Sequence, residues 1–592
     1  MLMEVNQGNA EMIKGFSAAN TEYPVSNSLM YSIYKMLPND TDLTVFREQG
    51  NIPGFNFAFI DNHFNYHTEQ DIVSNLSPKT LKHQGTYLMP LLNYFSNANL
   101  NTLNSKEDYV YFNIPFYFVI YPFKWIIPML LLTIIAFLII LSVGIGKRVL
   151  TFHEIGKGFI PLFASLITAG LVAFLSWKGL QIFYPQYKDI LQGFTYNGHA
   201  YIGAFVFLSL SIGFFFYRKS STKGLTQNHF IAPLILWIII NSLLAFLLPG
   251  AGFLIIPLIF GVLMFAYFVI TQTLNRTINL ILSIPALIIL VPFIVMFPVG
   301  LGLKILVGSA ILTILIFGLL LPVFGTFPKK GNVSLIMLLI SIGFFVNAHI
   351  NSDYEKGKAK PNSLLYILNA DKNTAIWATY DTNLDNWTKK YLGQNPKKAR
   401  LINSHPLFSK YNSGFTFTAF APMKELSKPT IEFVKDTIIG TKRYLKIKIT
   451  PNRKVNRYDI FANEKMVFYN FNANGATSLN QKGNIFERKG KKVISYYVVD
   501  NEPLEMQFSI SKNTILDMDL MESSFDLVTN PKFNIIKRTD RMMPMPFVLT
   551  DAVIIQQKIK QSPKTETPVV VYQLNQKSSF INDTLTSTNE SN

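Results

Sequence analysis

From about Pro122 to His349 the chain alternates long uncharged apolar runs with short polar connections, while both flanks mix polar and apolar positions as soluble domains do. A bilayer core about 30 Å thick is crossed by about 20 apolar residues of helix. Eight runs fit or approach that length: Trp125 to Val143, Phe159 to Phe183, Ala200 to Tyr217, Phe230 to Leu248, Gly252 to Thr271, Leu280 to Val299, Leu303 to Val323 and Val333 to Val346. An even number of crossings returns the chain to its starting side. The loops after the first, third, fifth and seventh runs carry Lys147, Arg148 and Lys157, then Arg218, Lys219 and Lys223, then Arg276, then Lys329 and Lys330; the intervening loops offer Lys188 and Lys304. Cytoplasmic loops retain excess Lys and Arg, so both soluble flanks are expected on the non-cytoplasmic side. That side is the periplasm or exterior of a bacterium, or a vacuole or reticulum lumen in a eukaryote.

In the first flank, Gly8 to Asn20 and Ser26 to Leu37 have helical spacing, the second with Leu29, Ile33 and Met36 on one face. LPNDTD, Leu37 to Asp42, reads as a turn. IPGFNFAFI then has the length and alternation of a strand, with Phe55, Phe57 and Phe59 on one side. NLSPKTL starts the next helix, Ser77 at the cap and Pro78 in the first turn. Leu81, Leu88, Leu92 and Phe95 are expected to form its buried face, with Pro90 as a kink. One strand between helices cannot satisfy its own edge groups. The flank therefore reads as the last third of an α/β domain whose front lies elsewhere.

The second flank is patterned differently. SLLYILNADKNTAIWATY predicts two strands around a DKN turn, and LDNWTKKYL a helical turn. YLKIKIT alternates Leu445, Ile447 and Ile449 with Lys446 and Lys448. Similar short runs at GFTFTAF, KMVFYNF, VISYYVV and EMQFSIS argue for an all-β sandwich. Trp377 and Trp387 are expected to pack in it, and His405 to be structural. From Gln576 the chain is polar, and disorder is expected.

The net charge of +18 raises nucleic acid as a partner, but the Lys and Arg residues lie in inter-span loops or are scattered, with no compact basic helix. No nucleic-acid partner is expected. The absence of cysteine excludes disulfides, thiolate metal sites and cysteine nucleophiles. Within or beside the spans, Lys178, Asn241, His199, His229 and His349 are the polar candidates; without paired carboxylates or broken-helix repeats they fit a packed anchor bundle.

Candidate chemistry concentrates in GFNFAFIDNHFNYHTEQD, Gly54 to Asp71. It stands where the strand runs out at its C-terminal end, the usual place for α/β sites. Imidazoles at His63 and His67 are either metal ligands or hydrogen-bonded loop histidines.

The ordered set LPNDTDLTVF, NIPGFNFAFI and YHTEQD, followed by the spans, resembles the end of the catalytic domain in metallopeptidase family 28. The nearest branch is membrane-anchored, of the endoplasmic-reticulum metallopeptidase and vacuolar membrane protease type. The resemblance implies that His67 is the last zinc ligand and that Tyr66 stabilises the transition-state oxyanion, a role suited to a phenol donor. It places Asp71 as an orienter of the loop or of His67, and Asp40, Thr41 and Asp42 at the site's periphery; His63 is outside the shared pattern. Family enzymes hold two zincs with an early histidine, a bridging aspartate, further acids and the final histidine, and use a glutamate as base. This sequence has no early H-x-D and no Glu-Glu pair before Asp61. One imidazole cannot hold a catalytic zinc, so the chain alone is expected to be inactive, its missing ligands encoded upstream.

The expected architecture is a multi-domain membrane protein. Residues 1–110 form a partial α/β peptidase domain, 122–349 a transmembrane bundle of eight helices, 350–575 an outward-facing β-rich, sandwich-like domain, and 576–592 a disordered tail. The expected function is that of a membrane-anchored zinc-dependent exopeptidase, aminopeptidase-like, with membrane lipid and peptide substrate as partners. The alternative is a non-catalytic polytopic transport or scaffold protein whose β-domain binds an unknown partner.

Overall fold

The computed structural model describes residues 2–34, 41–399, 405–477 and 481–561. The expected tail, 576–592, lies outside the described residues. The chain divides into two compact units: Met1–Tyr366, Ile376–Ala421 and Asp526–Ala552 in one, and Ile367–Ala375, Pro422–Phe525 and Val553–Asn592 in the other.

The first unit begins with a correction. The expected single strand has a partner: Leu2–Val5 pairs antiparallel with Phe55–Ala58, Leu2 opposite Ala58 and Val5 opposite Phe55. LMEV is too short to announce itself, and its Glu4 looks like a surface residue. In the structure Glu4 is buried at 2% exposure and held by Arg47 at 2.7 Å. Arg47 belongs to a helix, Asp42–Gly50, that replaces the expected run from turn directly to strand. Met3, Val5, Ile13, Phe16, Tyr87, Leu91, Tyr111 and Phe118 make the core of this region, closed by a hairpin of Tyr109–Ile114 and Tyr117–Pro122.

The helix Pro78–Ser96 starts where the cap residues predict, with Thr80 N donating to Ser77 Oγ at 3.4 Å. Its buried face is not the expected one. Tyr87 and Leu91 are inside, whereas Leu81, Leu88 and Leu92 are 60%, 48% and 63% exposed; of the expected face only Phe95 packs on the core. Tyr87 sets the phase because it packs against Phe16 and Phe57, at 5.7 and 5.3 Å between rings, and its hydroxyl donates to Tyr23 O at 2.7 Å. A residue that both packs and hydrogen-bonds outweighs leucines that only pack. Substitution should show this: Leu92→Lys is expected to change stability by no more than about 0.5 kcal/mol, while the adjacent Leu91→Ala costs at least about 2 kcal/mol. Pulse proteolysis of the full chain, read on fragments from residues 1–110, measures both.

Among the described residues, seven helices are long and apolar enough to cross a membrane: Phe123–Gly146, Phe152–Phe183, Gly198–Lys219, Lys223–Leu247, Pro249–Thr271, Arg276–Leu301 and Lys330–Ile350. The seventh expected span is a shorter apolar helix, Leu303–Leu319, followed by the turn of helix Leu321–Phe324. In hydrocarbon every polar group needs an internal partner. Ser309 Oγ accordingly donates to Ile294 O at 2.7 Å, and Asn241 Nδ2 to Trp237 O at 2.9 Å. Lys178 reaches back over the Phe174 ring at 5.8 Å, and the bundle core is aliphatic and aromatic, including Trp237, Phe265 and Phe317.

Beyond the last helix, the first unit continues with Lys360–Asn362 paired in parallel to Met542–Pro544. Trp377 and Trp387 are buried there, as expected of packing residues.

The second unit is β-rich. One sheet runs in the order Thr430–Ile439, Lys442–Thr450, Leu504–Ser511, Phe468–Ala473, Ile485–Phe486, Gln481–Lys482. A second layer pairs Lys492–Tyr497 with Arg457–Ala462, that strand with Leu516–Ser524, and this with Val553–Gln561. Leu445, Ile447 and Ile449 from the first layer and Tyr458, Ile460, Met518 and Leu520 from the second share one core, the arrangement two alternating sheets adopt when their apolar faces meet.

Candidate active site

The strand Phe55–Ala58 leads into a tight turn that positions the candidate side chains. Asn62 takes a left-handed conformation, φ 56°, a short 3-10 turn covers His63–Asn65, and His67 is again left-handed at φ 58°. The polar residues that follow lock this shape: Thr68 Oγ1 donates to Asn65 O at 2.8 Å, Gln70 N to Thr68 Oγ1 at 3.0 Å, and Asp71 N to Thr68 O at 3.1 Å. A left-handed residue with a side chain costs about 1–2 kcal/mol, and such strain concentrates at functional sites.

The turn stacks the rings of Tyr66 and His67, centroids 3.8 Å apart. Tyr66 is 52% exposed, and His67 is exposed as well. His67 meets the edge of Phe547 at 5.7 Å. Phe547 is also left-handed, φ 66°, with Lys410 Nζ 5.5 Å from its ring and Tyr411 at 5.4 Å. Partial burial holds the His67 pKa below that of an ordinary histidine, the Lys410 charge pushes it the same way, and Asp71 opposes both. Burial likewise raises the Glu69 carboxyl, with Arg538 pulling it back.

The other candidates fall elsewhere. His63 lies among Phe64 and Phe194, its Nδ1 buried without a hydrogen-bond partner, and burial lowers its pKa. Thr41 and Asp42 begin the helix Asp42–Gly50 and line a hollow of about 370 Å³ with Phe46, Pro53 and Phe55. That hollow surrounds the beginning of the strand, whereas Tyr66 and His67 follow its end. Asp71 is exposed on the turn, and Asp40 lies outside the described residues. Phe547, Lys410 and Tyr411 were invisible to sequence reasoning: more than three hundred residues separate them from His67, and no local motif marks them.

A catalytic zinc takes three protein ligands and a water. Among the described residues no group of three or more His, Cys, Asp or Glu side chains is placed to hold a metal ion. The residues present do not fit a zinc site by themselves, and no catalytic step follows through one. The span-edge histidines are also accounted for: His199 Nε2 is 3.0 Å from Asp61 Oδ1, His229 Nδ1 2.6 Å from Ser220 Oγ, and His349 Nδ1 2.6 Å from Tyr184 Oη.

Residues 2–92 match the model of Peptidase family M28. Over 247 residues the chain is 23% identical to endoplasmic reticulum metallopeptidase 1 of Mus musculus and 24% identical to that of Homo sapiens, covering 39% of this chain and 27% of each relative. It is 31% identical over 108 residues to a putative endoplasmic reticulum metallopeptidase 1 of Schizosaccharomyces pombe, 18% of this chain and 13% of that protein. The matched part spans about a quarter of the length of the mammalian relatives. No solved structure matches. Residues 2–92 are thus similar to peptidase family M28, and helices long and apolar enough to span a membrane follow them.

Proposed function

We propose that the chain is part of a membrane-anchored, zinc-dependent exopeptidase of aminopeptidase type, in which His67 is the last zinc ligand and Tyr66 the oxyanion donor. The observation that supports this is the stacking of those two side chains on a strained, exposed turn inside the stretch that matches family M28. Asp71 serves the turn. The soluble regions, 1–110 and 350–575, lie on the non-cytoplasmic side of the bundle 122–349, by the Lys and Arg asymmetry of its loops. Partners are membrane lipid and a peptide substrate.

The described residues do not supply the remaining ligands. The purified 592-residue protein is therefore expected to bind far less than one zinc per chain, by plasma mass spectrometry after dialysis, and to leave aminoacyl substrates uncleaved. Stoichiometric zinc with turnover by the isolated chain would overturn that. In-frame H-x-D and Glu-Glu codons ahead of Met1 in the gene support the exopeptidase reading. In-frame stop codons and a promoter there support the second reading, a non-catalytic membrane scaffold or transporter whose β-rich region binds a partner.

A further inference from the structure

Just past the last long helix, one ammonium is paired with two carboxylates and feels the charge of a third, Asp381. Lys360 is 6% exposed; its Nζ stands 3.2 Å from Asp385 Oδ2 and 3.4 Å from Asp189 Oδ2, and donates to Asn383 O at 2.7 Å. Asp189 is wholly buried on the turn Pro185–Asp189 that follows the helix Phe152–Phe183. Its Oδ1 accepts from Thr382 N at 2.6 Å, Thr382 Oγ1 at 2.7 Å and Asn383 N at 3.3 Å. Asp381, also wholly buried, takes Ser363 N at 2.7 Å and Ser363 Oγ at 2.8 Å on Oδ1. The Oδ2 atoms of Asp189 and Asp381 have no hydrogen-bond donor.

Two wholly buried carboxylates and a partly buried third against one lysine leave a surplus of negative charge, and buried charge without a partner is expensive. A proton is the cheapest remedy, and Asp381 is where it belongs. Its sister carboxylates each have Lys360 within 3.4 Å and several donors, whereas Asp381 has Ser363 alone. The other titratable groups facing the cluster are phenols, Tyr354 beside Asp189 with Tyr187 and Tyr196 behind it. Arg538 approaches only through Asn362 and is neutralised by Asp551, at 2.6 and 2.7 Å.

We propose that this cluster is a proton-operated latch: with a proton on Asp381 it fastens the segment Asp381–Asp385 to the turn after the helix Phe152–Phe183, and as pH rises and Asp381 ionises the fastening loosens. Burial raises the Asp381 pKa to about 7, with Lys360 opposing and Asp189 adding to the rise. An acid whose pKa is higher when fastened than when released stabilises the fastened state at low pH. That advantage falls as pH climbs from about 4 to about 7 and is level above. If the released carboxyl returns to its ordinary value, the release equilibrium grows roughly thirtyfold between pH 5.5 and 8.5.

The chain has no cysteine, so Lys188→Cys and Lys390→Cys place two spin labels, one on each side of the latch, in the full chain in lipid nanodiscs. Electron–electron resonance is expected to give one narrow distance at pH 5.5 and a second, longer component at pH 8.5, with a midpoint near pH 7. In Asp381→Asn the narrow distance should persist at both pH values. A wild-type distribution that ignores pH overturns the latch, and so does a pH response that survives Asp381→Asn. If that variant does not fold, the wild-type midpoint decides: one near pH 7 supports the proposal, and none between pH 5.5 and 8.5 overturns it.

Discussion

Replacing Lys360 by methionine is expected to lower the stability of the region around it by about 3–5 kcal/mol at pH 7.5, the usual loss when one partner of a buried ion cluster is removed. Methionine is of similar length, so the loss reports charge and not a hole. Asp385 shows what the lysine does: burial alone would raise its carboxyl, and Lys360 with the donors from Asn362 and Thr388 brings it below the ordinary value. Burial also works against the lysine, and the carboxylates outweigh it, so its own pKa is raised. The variant's deficit should shrink at pH 5, where Asp381 carries a proton and less charge is stranded; burial raises that carboxyl in the protein as it stands. Pulse proteolysis in urea, read on a fragment beginning after Ile350, measures it. A loss under about 1 kcal/mol at pH 7.5 would class the cluster with exposed ion pairs and remove its structural importance.

None of that cluster was legible in the sequence. Asp189 stands in an inter-span loop, Lys360 after the last span, and Asp381 and Asp385 in a polar turn; each looks like a solvated charge, and only the fold gathers them, with Asp189 and Asp385 within 3.4 Å of Lys360. The same cause hid Phe547, Lys410 and Tyr411 from the His67 turn. What could be read was local and periodic. Apolar runs became helices because a span needs nothing but length and hydropathy, and seven of the eight are long enough to cross. YLKIKIT became a strand with its Lys residues turned out because alternation survives any partner.

Where two local signals competed, tertiary contact decided. In the helix Pro78–Ser96 the leucines at 81, 88 and 92 gave a plausible stripe, but Tyr87 adds a hydrogen bond to its packing and rotates that stripe outward. In LMEV the charge of Glu4 masked a strand, since the Arg47 that neutralises it arrives from 43 residues away. The YHT-x-x-D turn is the intermediate case. Its shape is built from contacts within six residues, so the motif specified it, whereas the ring it faces comes from a distant segment.

In any preparation that turns over an aminoacyl substrate, Tyr66→Phe is expected to lower kcat about 10²–10³-fold, the cost of removing one oxyanion donor. KM should change little, because the phenol hydroxyl is asked to donate only when negative charge develops on the scissile oxygen. The substitution keeps the ring that stacks on His67 at 3.8 Å. Tyr66 is 52% exposed, so its hydroxyl contributes little to folding, and the melting temperature should not move. That combination separates the two roles open to Tyr66. A packing residue would lose stability on Tyr66→Ala and nothing on Tyr66→Phe; a donor loses turnover on either. Equal kcat in wild type and Tyr66→Phe, measured on an aminoacyl substrate at saturating concentration, would remove Tyr66 from the chemistry and leave His67 as the turn's only candidate for it.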